Sequence, residues 1–226
     1  MLTHRELSSP WGVIFDMDGV LVDSAASHLE SWRALANEQG VPLSESDVTA
    51  TFGRQNRDII PILFGAKEPA EVDALADRKE VIYRDLVRAE VPVVDGAIDL
   101  IDALHQVGCK LAVGSSAPRA NIDLVLEWMG RAHCFEAIVS GDEVSRGKPD
   151  PQVFAMACAR LGLAPDRCVV IEDAPAGVTA AKRAGAAAVA ILLYHERYAF
   201  KGADHFADQL CNLTVADLYK LVEGLA

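Results

Sequence analysis

The feature that most constrains this chain is a series of short, continuously apolar segments separated by helical patterns. Residues 11–15 are apolar, rich in β-formers, and stop abruptly at Asp16-Met-Asp-Gly19, which reads as a buried strand entering a loop. Comparable runs follow at residues 110–114, 137–140, 168–171 and 186–193, with helical periodicity between them at 97–107, 119–129, 152–161 and 176–184. A strand without a polar face must be covered on both sides, and strands joined through helices run parallel. The chain is therefore expected to be an α/β protein built on a doubly wound parallel sheet.

Residues 24–91 break the alternation. They show helical periodicity at 28–39, 46–51, 56–64 and 68–90 and no convincing strand. This reads as an all-helical cap inserted after the first strand, bounded by the loop after Asp23 and by the Pro- and Gly-containing connection Val91-Pro-Val-Val-Asp-Gly96. The expected division is a core of residues 1–23 and 92–226 and a helical unit of residues 24–91. A length of 226 residues with 51% hydrophobic content suits two unequal units.

The net charge of −12 excludes a nucleic-acid or anionic-membrane partner, because such polyanions select clustered Lys and Arg. A small diffusing metabolite fits better, bound by a monomer or a small homo-oligomer. The first ten residues have no apolar stretch behind a basic segment, and no window approaches a membrane span. Five cysteines form an odd set without a C-x-x-C pair. They read as reduced, mostly buried thiols of a cytoplasmic protein.

In an open parallel sheet the ligand crevice lies at the carboxyl ends of the strands. Asp16 and Asp18 follow the first strand, Ser115 and Ser116 the second, and Glu172 and Asp173 the fourth, while Lys148 lies in Arg146-Gly-Lys-Pro-Asp-Pro151. Carboxylates gathered at one sheet edge repel one another and need a cation to stay ionised. Oxygen-only donors favour a hard ion, and magnesium suits a site that also receives phosphate oxygens. Asp16 and Asp173 would be direct ligands, Lys148 and the Ser115 hydroxyl would neutralise and orient a phosphate, Asp16 would attack phosphorus, and Asp18 would serve as acid and base. Each element also has a purely structural reading. Asp-x-Asp-Gly makes turns, Lys148 suits a solvated loop, Ser115 could cap the helix near Pro118, and Glu172-Asp173 suits a helix N-terminus. The chemical reading rests on all of them falling, in order, at strand ends.

Those residues resemble the haloacid dehalogenase superfamily, in the group of β-phosphoglucomutase and phosphoglycolate phosphatase that carries a helical cap. The likeness lies in Phe15-Asp-Met-Asp-Gly-Val-Leu-Val-Asp-Ser24, Val113-Gly-Ser-Ser116, Gly147-Lys-Pro-Asp-Pro151 and Val170-Ile-Glu-Asp-Ala-Pro-Ala-Gly177, and spans nearly the whole chain. It implies Asp16 as nucleophile, and Asp18 as the acid/base that also lends a backbone carbonyl to Mg2+. It further implies Ser115 and Lys148 on the phosphate, Glu172 and Asp173 completing the metal site, and a cap that closes to exclude water. The presence of Asp18 argues against carbon–halogen cleavage, because true dehalogenases lack the second aspartate of that pair.

The resemblance extends to the cap. His28 matches a hinge histidine, and Thr51-Phe-Gly-Arg-Gln-Asn-Arg57 matches a substrate-specificity loop in which Gly53 allows a tight turn. Arg54, Asn56 and Arg57 are its candidate substrate contacts. Asn56 stands where the mutase pattern has an arginine for a second phosphate, and Arg57 one step on is a possible substitute. Arg78 and Lys79 either face a substrate or form a solvated helical face. The expected function is magnesium-dependent hydrolysis of a small phosphate monoester, with phosphoryl transfer between sugar phosphates as the alternative. A catalytically silent binding protein on the same fold would be expected to lack one of Asp16, Asp18, Ser115, Lys148 and Asp173.

Overall fold

The computed structural model describes residues 10–51 and 54–223. The chain opens with strand β1 (Gly12–Phe15) and passes through helices α1 (Ala25–Gln39), α2 (Glu45–Thr49), α3 (Asn56–Phe64) and α4 (Pro69–Val87). It then alternates: α5 (Ala97–Gln106), β2 (Lys110–Gly114), α6 (Arg119–Met129), β3 (Phe135–Val139), α7 (Gln152–Leu161), β4 (Cys168–Glu172), α8 (Pro175–Ala184), β5 (Ala187–Ile191), β6 (His205–Ala207) and α9 (Val215–Glu223).

The six strands form one sheet in the order β3-β2-β1-β4-β5-β6, with every pair parallel. This bears out the α/β, doubly wound expectation. The four residues of β1 and all five of both β4 and β5 are buried, as strands covered on two faces must be. One face packs Ile14, Ala112, Val170 and Ala188 against Val153, Phe154, Ala157 and Leu161 of α7 and Val178 and Ala181 of α8. Strand side chains alternate, so Trp11 points to the other face, where its ring meets Tyr219 of α9 edge-on at 5.4 Å.

Two elements differ from expectation for physical reasons. β3 begins at Phe135 rather than 137 because, as an edge strand, it buries only alternate residues, and the exposed Glu136 interrupts its apolar run in sequence. β6 is three residues long, too short to carry a periodic signal, yet it pairs with β5 at Val189, Ala190 and Ile191.

The chain divides into two compact units, one of Met1–Val22 with Val93–Ala226 and one of Asp23–Pro92. The second is all helical. Trp32 and Leu35 of α1, Val48 of α2, Ile59 and Ile60 of α3 and Ile82 of α4 form its core. Among the described residues no helix is long and apolar enough to cross a membrane. Cys109, Cys134, Cys158 and Cys168 are buried free thiols, and Cys211 is free and exposed.

Candidate active site

The strand order reverses direction at β1, so the crevice outside the ends of β1 and β4 is the switch point at which open α/β sheets bind ligands. The Asp16 amide donates to the Ile171 carbonyl at 3.0 Å, which fixes the first residue beyond β1 against the end of β4. Asp16, Glu172 and Asp173 each present a carboxylate oxygen within 4.8 Å of the others. Glu172 is fully buried, Asp16 is 7% exposed, and Asp173 is half-buried.

Lys148 reaches this cluster from the loop before α7, beyond which its peptide bond to Pro149 is cis. Its Nζ donates to Glu172 Oε1 at 2.6 Å, lies 3.0 Å from Asp16 Oδ1, and sits 4.8 Å from the Phe154 ring centroid. Lys148 is therefore no solvated loop cation, since its side chain is only 6% exposed. The second Glu172 oxygen, Oε2, accepts from the Ala174 amide at 2.9 Å, so both oxygens of that carboxylate already have protein partners.

The charges do not balance. Burial works against the Lys148 ammonium, but Asp16 and Glu172 outweigh it and hold the group above its usual range. Burial pushes the Asp16 carboxyl up to about 7, with Lys148 opposing and Glu172 and Asp18 adding to the rise. The Asp173 carboxyl is also raised, first by burial and then by Glu172 and Asp16. Asp16 Oδ1 is at ion-pair distance from Lys148 but makes no hydrogen bond, an expensive condition for a buried oxygen. One lysine does not neutralise three converging carboxylates. An oxygen-only set with surplus negative charge fits a hard divalent cation, which Asp16 and Asp173 would hold with Glu172 beside them.

Two glycines make this packing possible. Gly19 has φ +76°, and a Cβ there would stand 1.9 Å from Asp173 Oδ2; a Cβ on Gly177, inside α8, would stand 1.7 Å from Glu172 Oε1. The glycine of Asp-x-Asp-Gly thus serves both the turn and the carboxylate cluster. Because Glu172 is buried and bonded at both oxygens, it cannot swing away. Gly177→Ala is expected to cost about 1–3 kcal/mol of stability by overpacking, measured by denaturant unfolding. An unchanged midpoint would show that the cluster yields freely.

The remaining core candidates follow β1 and its neighbour β2. Asp18 follows β1 in a tightly wound loop where the Met17 carbonyl accepts from Val20, Leu21 and Val22 and the Gly19 amide donates to Val22 at 2.7 Å. Ser115 ends β2, the neighbour of β1, and is 1% exposed. It does not cap the following helix. Its Oγ accepts from the Ala117 amide at 3.1 Å, while Asp142 takes the Arg119 amide at the start of α6 at 2.7 Å. The Ser115 hydroxyl proton is left to donate. Ser116 lies half-buried in the same turn.

The cap candidates separate. Gly53 lies outside the described residues. Arg54 is exposed. Arg57 is 73% exposed and only loosely paired with Asp73, at 3.7 Å. Arg78 lies on a solvated face, paired with Glu38. Lys79 departs from the solvated-face alternative and is 1% exposed. Its Nζ donates to His28 Nδ1 at 2.7 Å and Glu80 Oε1 at 2.8 Å, and lies 5.3 Å from the ring centroids of Trp32 and Tyr83. His28 stacks on Tyr83 at 4.3 Å, and Asn56 Nδ2 donates to Glu80 Oε1 at 2.6 Å. Glu80 was missed from sequence. An acidic residue beside a lysine on a charged helix gives no local sign that α1 and α3 will bury it.

Residues 12–185 match the family model described as haloacid dehalogenase-like hydrolase. The chain is similar to validoxylamine A 7'-phosphate phosphatase of Streptomyces hygroscopicus subsp. limoneus, at 34% identity over 84% of this chain and 90% of that one. It is also similar to β-phosphoglucomutase of Bacillus subtilis, at 30% identity over 92% of this chain and 93% of that one. Among solved structures, a family IA, variant 3 hydrolase of this kind from Entamoeba histolytica superposes with TM-score 0.86 at 26% identity, covering 94% of this chain and 99% of the other. With the strand order, three motifs at strand ends, the Lys148 loop and a match over most of its length, the chain belongs to the haloacid dehalogenase-like hydrolases and is an enzyme of that family.

Proposed function

We propose that this protein is a magnesium-dependent phosphatase that hydrolyses a small phosphate monoester, a sugar phosphate or a similar metabolite, through an aspartyl-phosphate on Asp16. The observation that carries the proposal is the meeting of Asp16, Asp173, Glu172 and Lys148 from three distant segments at the β1/β4 switch point, packed closely enough that Gly19 and Gly177 leave no room for a side chain. The validoxylamine A 7'-phosphate phosphatase relative supports the same reaction class.

In this mechanism a carboxylate oxygen of Asp16 attacks phosphorus, and the bond from phosphorus to the ester oxygen breaks. Asp18 gives its proton to the departing oxygen. Asp18, now a base, takes a proton from water, which attacks phosphorus, releases inorganic phosphate and restores Asp16. Lys148 and the Ser115 and Ser116 hydroxyls hold the phosphate oxygens, and Glu172 fixes Lys148 through their 2.6 Å bond. Magnesium, when bound by Asp16 and Asp173, would supply the positive charge that lets both carboxylates be ionised beside a phosphate. A second reading, phosphoryl transfer with a sugar hydroxyl in place of water, draws on the β-phosphoglucomutase relative.

The test is phosphate release from a panel of sugar phosphates and phosphoglycolate, with magnesium and with chelator. Release should fall to background in chelator and return when magnesium is restored. Release that ignores the chelator would remove the metal from the proposal.

A further inference from the structure

A second set of metal-ligating side chains lies at the opposite end of the sheet from Asp16. His105 is in the last turn of α5, and His133 and Cys134 belong to the short 3-10 turn Ala132–Cys134 that leads into β3. These segments precede β2 and β3, whereas the carboxylate cluster follows β1 and β4. A five-residue strand spans about 16 Å, so the proposed chemistry makes no use of them.

Asp102 and Arg131 hold the two segments together. Arg131 donates to both carboxylate oxygens of Asp102, at 2.6 and 2.8 Å, and so ties α5 to the turn. That pairing holds the Asp102 carboxyl below its usual range, and the charges of His105 and His133 add to the effect, which places a carboxylate beside both imidazoles.

The donors have the spacing of a tetrahedral site. His133 Nε2 lies 3.5 Å from Cys134 Sγ. An ion about 2.3 Å from sulfur and about 2.0 Å from nitrogen, at a tetrahedral angle, separates those two donors by about 3.5 Å. The pair is therefore already at chelating distance. His105 meets His133 edge-on with ring centroids 6.1 Å apart, against about 5 Å for two imidazoles on one tetrahedral ion. Both histidines are exposed, so a change of rotamer can close that difference. Burial pushes the Cys134 thiol up, which keeps it protonated until a metal takes the place of its proton. An ion on His105 would also stand at the carbonyl end of α5, where a helix favours positive charge.

We propose that His105, His133 and Cys134 form a binding site for a divalent transition ion of the zinc class, with water in the fourth position. Imidazole and thiolate donors select such ions over magnesium, so this site is chemically separate from the carboxylate cluster. Binding exchanges the thiol proton for the metal: the S–H bond breaks, the sulfur keeps the electron pair and gives it to the ion, and the proton leaves to solvent.

Cobalt(II) is the probe, because it takes the same ligands as zinc and its bond to a thiolate gives an intense charge-transfer band that oxygen donors do not. The untagged full-length protein, reduced and in excess magnesium to fill the carboxylate site, is titrated with cobalt chloride. The band should saturate at one equivalent and disappear when zinc chloride is added. Cys134→Ser should lose the band, and His105→Asn and His133→Asn should each weaken cobalt binding by at least about tenfold. Should Cys134→Ser fail to fold, the two histidine variants, at exposed positions, decide the question. Absence of the band in wild type, its persistence in Cys134→Ser through another thiol such as Cys211, or full-strength binding in either histidine variant overturns the inference. None of these results bears on the phosphatase reading.

Discussion

Asp16→Asn should abolish phosphate release, by about ten-thousand-fold or more, while the protein stays folded. The loss follows from removing the nucleophile of the first step, since an amide cannot form the acyl phosphate. Folding should survive because Asn has the same shape and because the native carboxylate is unfavourable where it stands. Its pKa rises from about 3.8 unfolded to about 7 folded, chiefly through burial. A group raised in this way opposes folding once the pH climbs above its unfolded value, and the full cost is reached above the folded one. At neutral pH the metal-free variant should therefore unfold at a temperature no lower than wild type. Thermal unfolding in chelator checks this. A variant that keeps turnover would take Asp16 out of the mechanism, and one that unfolds early would show that Asp16 is structural.

Lys148→Met should damage both activity and stability. The ammonium lies between Asp16 and Glu172 at 3.0 and 2.6 Å, and Met fills the same length without charge. Removing one partner of a buried pair leaves the other uncompensated, at a cost of about 3–5 kcal/mol at neutral pH. The Lys148 pKa is raised on folding, so its stabilisation is fully present below its ordinary value near 10.5 and is lost only as the pH rises beyond it. In the variant, acid should recover part of the loss, because protonating the stranded carboxyls removes the repulsion. Phosphate release should fall by about 10²–10³-fold, as expected for one donor to a phosphate in flight. Denaturant titrations at neutral pH and near pH 5 test the stability arm. Equal stability at neutral pH would mean that Lys148 is not the counter-charge of this cluster.

Much of the fold was legible because burial writes itself into sequence when a whole strand is covered. β1, β2 and β4 are apolar along nearly their full length and stop at polar residues, so their ends and the residues after them could be read directly. Edge elements were less legible. β3 is buried on alternate residues only, and β6 has three residues whose strand identity comes from pairing with β5. Likewise Ser115 could be read as a cap of α6 or as a phosphate contact, and its bond to Ala117 separates it from the cap.

The residue order by itself determined the parallel α/β class, the helical insertion after the first strand, and which polar side chains stand at strand ends, because these depend on local periodicity and on where apolar runs stop. Tertiary structure decided what those side chains meet. Glu172 received Lys148 and Ala174 as partners, Gly19 and Gly177 became the space into which carboxylates fit, and Lys79 was drawn from a charged helix into a buried pair with Glu80. Burial of a charge is decided by the groups that close over it, and here His28 stands 51 positions from Lys79 and Asn56 stands 24 positions from Glu80. No local pattern around residues 79 and 80 could announce them.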